Sequence, residues 1–375
     1  MKVKVCQISS AHRRYDARIF RKIASSLAKF GYDSYFLICD TLPNEEKDGV
    51  HIISNGYRAR NHFSRIFLSW RKLKKLALKI DAEIYQIHDP ELFNLGFYLK
   101  KKGKIVIFDC HEDYRYISEK KYLPKIFRKL ILKIYLKKEK RVCEKFDAVI
   151  TVTPTVRDRL KEFSRKMVMI TNYPILTNRI QHKFDGERTL CFGGNCGWMH
   201  STLISVLPQF KGNVKYNFIT NTNDPDLLPL KQINGWEYVN LLPYMPFEEL
   251  RKIYASSWAG FALFPYCAVV NYDEGTLGNT KIFEYMMDGL PVICSDHKIW
   301  KQIIEENECG IPVNPYDKDG LEKAIKTLLF DKELLKKMSE NGRRAAEKKY
   351  NWGTQETILL NLYQELLNNE SKKSQ

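Results

Sequence analysis

Short apolar runs alternate with amphipathic segments along most of the chain. In the first half, the runs "KVKVCQIS", "SYFLIC", "EIYQIH", "KIVIFD" and "DAVITVT" are rich in β-branched residues, and we interpret them as strands. The segment "ARIFRKIASSLAKFG" lies between the first two and has helical apolar spacing, with Gly31 at its end as in many helices. Strands and helices in alternation predict a parallel sheet with helices on both faces.

The same alternation returns in the second half after an interruption. The segment "TNYPILTNRIQHKFDGER" is polar, contains Pro174 and is expected to be a linker. The predicted strands that follow are "TLCFGG", "KYNFIT", "GWEYVNLL", "AGFALFPY" and "LPVICSD", with helices at "PFEELRKIYASS", "KDGLEKAIKTLLFD" and "GTQETILLNLYQELL". We therefore predict an α/β protein with two Rossmann-like, doubly wound domains at 1–172 and 188–350, a linker at 173–187, and a last helix and tail at 351–375. Two such domains would face a cleft, with ligands at the carboxyl ends of their strands.

Length and composition agree with this division. The 375 residues suit two domains of about 150–200 residues each. No run of eighteen apolar residues predicts a membrane span, and "MKVKVCQISSAHRR" resembles a first strand more than a signal peptide. The nine cysteines are scattered, and the nearest pair, Cys191 and Cys196, lacks the spacing of common zinc or redox motifs. We expect free thiols in a reducing cytoplasm.

The net charge of +17 indicates an anionic partner, for which nucleic acid, a membrane surface and a phosphorylated substrate are the candidates. Between Lys120 and Lys145 there are eleven Lys or Arg and two Glu, while Phe127, Leu130, Ile131 and Ile134 keep helical spacing. This pattern favours an anionic membrane surface over a simply solvated face. Nucleic-acid binding is the weakest alternative because the sequence contains no recognised module for it.

Polar residues follow two predicted strands of the first domain. His88 comes directly after "EIYQI", and we expect its ring to face the cleft, where it could bond a sugar hydroxyl or polarise a reacting group. Asp89 and Pro90 are also typical of a helix start, which is compatible with that role. In "CHEDY", His111 and Glu112 could serve an acceptor-binding loop or a merely solvated one. No second histidine-rich element with ligand spacing accompanies them, so no metal is expected.

Two glycine-containing turns of the second domain suit phosphate binding. In "CFGGNCGWMH", Gly193 and Gly194 would let backbone amides approach a phosphate, although glycines after strands are common for steric reasons alone. In "EGTLGNTKIFEYMMDGLPVICSD", Lys281 lies at a helix start and Glu284 one turn later. A lysine there suits a diphosphate and a carboxylate suits two vicinal hydroxyls. The alternative is an exposed i, i+3 ion pair.

These segments, taken in order, resemble the retaining glycosyltransferases of family 4. The resemblance is carried by "HRRYDARIFRKIASSLAKFGYDSYFL", "EIYQIHDPEL", "VIFDCHEDYRYI", "DAVITVTPTVRDRL", "TNYPIL", "NTKIFEYMMDGLPVICSD", "ECGIPVNPYD" and "YNWGTQETILLNLY", which span most of the chain. It implies the two-domain GT-B fold, a last helix that crosses back to the first domain, and a nucleotide-sugar donor held by the second domain. The "CHEDY" segment is similar to enzymes that build bacterial capsule, lipopolysaccharide and other surface glycans.

The resemblance also implies roles for individual residues. His88 would reach the donor sugar, Lys281 the diphosphate and Glu284 the donor ribose. The implied donor-binding set is completed by Gly193, Gly194, Asn195, Leu242, Tyr244, Thr276, Gly278, Asn279 and Thr280. The implied acceptor-binding set is Asp16, Arg18, His111 and Glu112.

The chain departs from the family pattern at two places. Many members have a glutamate eight residues before the one matched by Glu284, where this chain has Thr276, and we interpret this as altered sugar selection. Many also have an arginine and a lysine after the strand matched by "CFGG", and this chain has neither. The diphosphate would then depend on Lys281, backbone amides, and Asn195 or His200.

The resulting expectation is a metal-independent, retaining hexosyltransferase without a cofactor. Its donor would be a nucleotide sugar, and a UDP-sugar is favoured because members of the family commonly use one. Its acceptor would be a lipid-linked or surface glycan at the inner face of the cell membrane. Because a nucleotide is a good leaving group, the departing phosphate oxygen can take the proton of the acceptor, and a second carboxylate is not required. The alternatives are a non-catalytic nucleotide-sugar-binding subunit and, with less support, a GT-B-fold epimerase.

Overall fold

The computed structural model describes residues 2–58, 70–111, 113, 115, 125–182, 184–197, 199–267 and 270–373. The chain divides into two compact units. The first comprises residues 1–172 together with 353–375, and the second comprises residues 173–352. The described residues between 173 and 187 form neither a helix nor a strand, and they belong to the second unit.

The first unit is built on a sheet of eight strands in the order β3-β4-β2-β1-β5-β6-β7-β8. All neighbours are parallel except β3 and β4. The strands are β1 Lys4–Ile8, β2 Asp33–Ile38, β3 Glu45–Lys47, β4 Val50–Ser54, β5 Ile84–Ile87, β6 Ile105–Cys110, β7 Ala148–Thr151 and β8 Met167–Met169. The helices are α1 Ser25–Lys29, which continues a wider helical turn at Ile19–Ala24, α2 Trp70–Ile80, α3 Phe93–Lys101, α4 Lys125–Lys145 and α5 Pro154–Leu160.

The second unit contains six parallel strands in the order β11-β10-β9-β12-β13-β14. They are β9 Arg188–Gly193, β10 Val214–Thr220, β11 Val239–Pro243, β12 Ala259–Ala262, β13 Val292–Ser295 and β14 Gly310–Val313. The helices are α6 Met199–Val206, α7 Leu227–Leu230, α8 Phe247–Ser256, α9 Lys281–Asp288, α10 Lys298–Glu306, α11 Lys318–Leu329 and α12 Lys332–Lys348.

The last helix, α13 Trp352–Lys373, packs on the first unit although it comes from the far end of the chain. The hydroxyl of Tyr363 is buried, accepts from Gln7 Nε2 at 3.0 Å and donates to Gln86 Oε1 at 2.8 Å. Gln7 and Gln86 lie on β1 and β5, so α13 is tied to the middle of the sheet by buried hydrogen bonds.

The predicted fold class is confirmed, including the return of the last helix to the first domain. Every predicted strand is present, because inner strands of a parallel sheet are buried on both faces and form continuous apolar runs. Four short strands at or next to the sheet edges were not predicted, namely β3, β4, β8 and β14. All nine cysteines are free thiols, as predicted. Within the described residues, the helices are too short or too polar to cross a bilayer.

Candidate functional site

Polar side chains converge where three neighbouring strands of the first sheet end. Strands β1, β5 and β6 are adjacent and parallel, so their carboxyl ends lie at one edge. Ser9 to His12 follow β1, His88 and Asp89 follow β5, and Asp109 and His111 lie at the end of β6. This is the edge at which doubly wound sheets bind ligands.

The ring of His88 is fully buried, which differs from the exposed position that we expected. Its Nε2 lies 2.9 Å from Gln7 Oε1 and its Nδ1 lies 3.1 Å from Asp109 Oδ2. Both ring nitrogens therefore face oxygens of the same unit. Direct contact with a sugar would require one of these two contacts to be given up.

Arg18, which we expected to bind the acceptor, is instead the partner of a buried carboxylate. Its Nε and Nη2 donate to the two carboxylate oxygens of Asp109 at 2.9 and 2.8 Å, and Nη1 donates to the carbonyl oxygen of Ile170 at 3.0 Å. Burial alone would raise the pKa of Asp109, but Arg18 and His88 hold that pKa well below its usual range. Because the guanidinium of Arg18 compensates the negative charge of Asp109, its hydrogen bonds are made inside the first unit.

Asp16 links a helix start to a histidine. Its Oδ1 accepts from the backbone amides of Arg18 and Ile19 at 2.8 and 2.9 Å, at the start of the helical turn Ile19–Ala24. Its Oδ2 lies 3.1 Å from Nδ1 of His12. Burial alone would raise the pKa of Asp16, but the hydrogen bonds from His12 and Ile19 lower it far below the usual value.

His111 completes this group of side chains. Its Nδ1 lies 3.1 Å from the backbone oxygen of Asp109, and its Nε2 lies 3.1 Å from Nε2 of His12. Burial lowers the pKa of His111. The structure therefore brings Asp16, Arg18 and His111 to one edge, whereas Glu112 lies outside the described residues.

His12 was not predicted as a site residue. It lies in the loop after β1, a few residues beyond the strand end, whereas His88 comes directly after β5. Extending the search from the strand end into the loop that follows would have found it.

His88, Asp109 and His111 place possible ligand atoms within 4.8 Å of one another. However, both carboxylate oxygens of Asp109 accept from Arg18, so a fixed positive charge already lies beside this group. The arrangement suits a neutralised hydrogen-bond network more than a divalent cation.

In the second unit, the turn after β9 is shaped by packing. A side-chain carbon added at Gly193 would lie 2.9 Å from Leu250, and one at Gly194 would lie 2.8 Å from the ring of Phe192. The amide of Gly194 donates to the carbonyl oxygen of Ile219 at 3.0 Å, so it is engaged within the sheet. The steric explanation for these glycines therefore accounts for both of them.

Asn195 and Tyr244, which come from separate strand ends, meet in the structure. The hydroxyl of Tyr244 donates to Oδ1 of Asn195 at 2.6 Å and joins the end of β9 to the end of β11. Tyr244 is exposed, whereas Leu242 packs against the hydrophobic core. Of these two predicted donor-binding residues, Tyr244 is the more exposed.

The start of α9 holds a charged pair. Lys281 Nζ donates to Glu284 Oε2 at 2.8 Å, and the hydroxyl of Thr280 donates to Oε1 at 2.6 Å. The Lys281 and Glu284 side chains are only 20% and 17% exposed, so the pair is more enclosed than an ordinary surface pair. The side chain of Lys281 passes near Gly194, which brings the α9 start close to the end of β9.

The loop before α9 is fixed by its own contacts. The hydroxyl of Thr276 accepts from the amide of Gly278 at 3.0 Å, and its carbonyl oxygen accepts from Trp300 Nε1 at 2.6 Å. The side chain of Asn279 accepts from the amide of Lys281 at 3.1 Å. Gly275 has φ +85°, which favours glycine. Thr276 thus has a clear role in loop geometry.

His200, considered for the diphosphate, is unsuitable for that role. It is fully buried, and its Nδ1 lies 2.9 Å from the hydroxyl of Tyr216. Burial lowers the pKa of His200 to about 3, so it carries no charge at neutral pH. Of the side chains expected to hold the diphosphate, Lys281 is the charged one, and it passes near Gly194 at the end of β9.

Two family models match the chain, one in each half. Residues 17–172 match the model described as Glycosyltransferase Family 4, and residues 202–345 match the model described as Glycosyl transferases group 1. No curated protein matches the sequence.

Solved structures share the fold over nearly the whole chain. Sucrose-phosphate synthase from Thermosynechococcus elongatus has a TM-score of 0.74 at 17% identity and covers 98% of this chain and 100% of its own. WaaG, a glycosyltransferase involved in lipopolysaccharide biosynthesis, has a TM-score of 0.69 at 12% identity, with 95% and 98% covered. Anabaena HepE in complex with UDP has a TM-score of 0.67 at 13% identity, with 97% and 100% covered.

Proposed function

The chain belongs to Glycosyltransferase Family 4, and we propose that it transfers a hexose from a nucleotide sugar to a lipid-linked or surface-glycan acceptor. The transfer would retain the anomeric configuration and use no metal, and the product would serve bacterial polysaccharide synthesis. Support for the reaction class comes from the two family models, which together span residues 17–345 except for the stretch 173–201.

The observation that carries the donor assignment is the enclosed pair at the start of α9. Lys281 and Glu284 supply the two groups that a nucleoside diphosphate needs, an ammonium for the diphosphate and a carboxylate for the ribose hydroxyls. Thr280 and Lys281 already orient both oxygens of Glu284. A donor would exchange these internal hydrogen bonds for its own.

In the proposed mechanism, the departing phosphate oxygen takes the proton of the acceptor hydroxyl while the new glycosidic bond forms on the same face. Negative charge grows on the diphosphate as the bond to the sugar breaks. Lys281 and the amides at the start of α9 would stabilise that charge in place before the reaction begins.

We propose UDP as the nucleotide of the donor. The solved structures of HepE and of a mutant of S. aureus TarM contain UDP, which supports this choice by fold similarity. Isothermal titration of the purified chain with UDP and with GDP tests it. Tight binding of GDP with no heat from UDP would contradict the proposal.

Replacing Glu284 with Ala should weaken UDP binding by about 1–3 kcal/mol, because charged hydrogen bonds to the ribose would remain unmade. Glu333→Ala is a matched control, since Glu333 forms an i, i+3 pair with Lys336 on an exposed part of α12. The control should bind UDP as the parent chain does. Equal affinities for the Glu284 variant and the parent, with both folded, would refute the ribose role.

We further propose that α4 attaches the enzyme to the cytoplasmic face of an anionic membrane. Phe127, Leu130, Ile131 and Ile134 are 39–55% exposed and follow one another at helical spacing. Lys129 and Lys133 are exposed among them. An apolar stripe flanked by lysines suits the boundary between acyl chains and anionic headgroups.

The alternative of a non-catalytic nucleotide-sugar-binding subunit is favoured by one observation. Between the end of β9 and the start of α6, the described residues include no arginine or lysine. The basic side chains that many family members have there for the diphosphate are therefore absent from this turn. A donor-hydrolysis assay separates the two functions. Slow release of UDP from a UDP-sugar supports an enzyme, and tight binding without turnover supports a subunit.

A further inference from the structure

Two histidine rings of the first unit face each other through the same type of nitrogen. Nε2 of His12 and Nε2 of His111 lie 3.1 Å apart, which is a hydrogen-bond distance. The two residues are 99 positions apart in the chain, and they connect the loop after β1 to the end of β6.

The partners on the other side of each ring determine where hydrogens lie. Nδ1 of His111 faces a backbone carbonyl oxygen, and Nδ1 of His12 faces the carboxylate of Asp16, each at 3.1 Å. Because both oxygens only accept, both Nδ1 atoms carry hydrogen. A neutral ring with hydrogen on Nδ1 has a bare lone pair on Nε2. Two neutral rings would therefore place two lone pairs against each other.

One additional hydrogen between the Nε2 atoms resolves this conflict. The pair then holds three hydrogens, two directed outward to oxygen and one shared, and carries a net charge of one. A fourth hydrogen would place two N–H groups head to head, so the contact is compatible with a single shared proton only.

The charges around the pair favour that proton. Asp16 faces His12 on its own loop, and Oδ1 of Asp89, at the end of β5, lies 3.7 Å from Nε2 of His12. Arg18 neutralises Asp109, and the ring of His88 is 6.2 Å from that of His111. Among the described residues, the two carboxylates nearest the pair thus have no arginine or lysine within ion-pairing distance.

Burial decides which ring bears the charge. Burial of the His111 ring opposes its charged form. His12 is 24% exposed and is the ring that faces both Asp16 and Asp89. The imidazolium therefore belongs to His12, which donates its Nε2 hydrogen to a neutral His111.

We propose that His12 and His111 form a proton-binding site, in which one shared proton holds the loop after β1 against the end of β6. Loss of that proton leaves two lone pairs facing each other and opens the contact. The site lies at the ligand-binding edge of the sheet, so pH would set the charge that this edge offers to a ligand. The inference goes beyond the transferase proposal and stands without it.

The experiment is a pH titration of the full-length chain labelled with 15N at histidine. Ring nitrogen shifts distinguish neutral from doubly protonated imidazole, and His12→Gln and His111→Gln identify the two rings. At pH 7.5, His12 should still carry both ring hydrogens, whereas an ordinary imidazole with a pKa of about 6.5 is about one-tenth protonated. His51→Gln is the control, because His51 lies outside the pair and its removal should leave both signals unchanged.

In the His111→Gln variant, the signal of His12 should change, because the neutral acceptor ring is gone. Two neutral rings at pH 7.5 in the folded parent chain would overturn the proposal, and this result needs no variant. Uptake of one equivalent of zinc that is lost in both glutamine variants would also overturn it, since a metal ion would then occupy the space between the Nε2 atoms.

Discussion

At the scale of single residues, the first unit contains a buried ion pair with full hydrogen bonding. Arg18 and Asp109 are at most 5% exposed, and the guanidinium contacts both carboxylate oxygens. A buried ion pair stabilises a protein little more than well-packed apolar residues of similar size would. Removing one partner, however, leaves a buried charge without compensation. Arg18 is therefore a structural residue of the strand edge where we expected an acceptor ligand.

Arg18→Met should lower the free energy of unfolding of the first unit by about 3–5 kcal/mol, because the carboxylate of Asp109 would stay buried without its partner. Hydrogen exchange of the β5 and β6 amides measures this locally. Arg157→Met is the matched control, since Arg157 and Asp158 form an exposed pair at 3.0 Å that is worth less than about 1 kcal/mol. Equal losses of stability for the two substitutions would contradict the structural role of Arg18.

At the scale of elements, α4 has two different apolar faces. Tyr135, Val142 and Cys143 are buried in the core of the first unit, whereas the stripe from Phe127 to Ile134 is exposed. Helical spacing alone predicted the apolar positions but could not separate these faces. Only the packing of the second half of α4 into the core of the first unit leaves the first half open.

Replacing both Leu130 and Ile134 with Ser should weaken binding to vesicles that contain anionic lipid at least about tenfold. Full burial of one such side chain is worth about 1.5–3 kcal/mol, and each is about half exposed in the free protein. Vesicle sedimentation provides the measurement. Leu228→Ser, on an exposed position of the second unit, is the control and should bind as the parent does. An equal loss of vesicle binding in both variants would contradict a role of α4 in membrane attachment.

At the scale of the whole molecule, the net charge of +17 should make membrane attachment depend on salt. Exposed charges are screened over about 10 Å at 0.1 M salt and about 3 Å at 1 M. Binding to anionic vesicles should fall steeply between these two conditions, and neutral vesicles should bind weakly in both. Equal partitioning onto neutral and anionic vesicles at low salt would contradict attachment through charge. Stronger binding to a DNA duplex would favour the nucleic-acid alternative.

Much of the fold was predictable from the sequence because it depends on neighbouring residues. An inner strand is apolar along its own length, and a helix repeats its apolar positions every three or four residues. The runs from "KVKVCQIS" to "LPVICSD" therefore located ten of the fourteen strands in the described residues. The Lys281–Glu284 pair was predictable for the same reason, since its members lie one helical turn apart.

The tertiary structure decided which polar residues are open to a ligand. Arg18 meets Asp109 across 91 residues, His12 meets His111 across 99, and Gln7 meets Tyr363 across 356. Such contacts depend on the path of the chain and on which strands become neighbours, and neither is a property of a short segment. The sequence by itself thus determined most of the strands, several helices, the family resemblance and the chemistry available. Only the packing of distant strands decided that His88 and Arg18 are buried and that His12 joins His111.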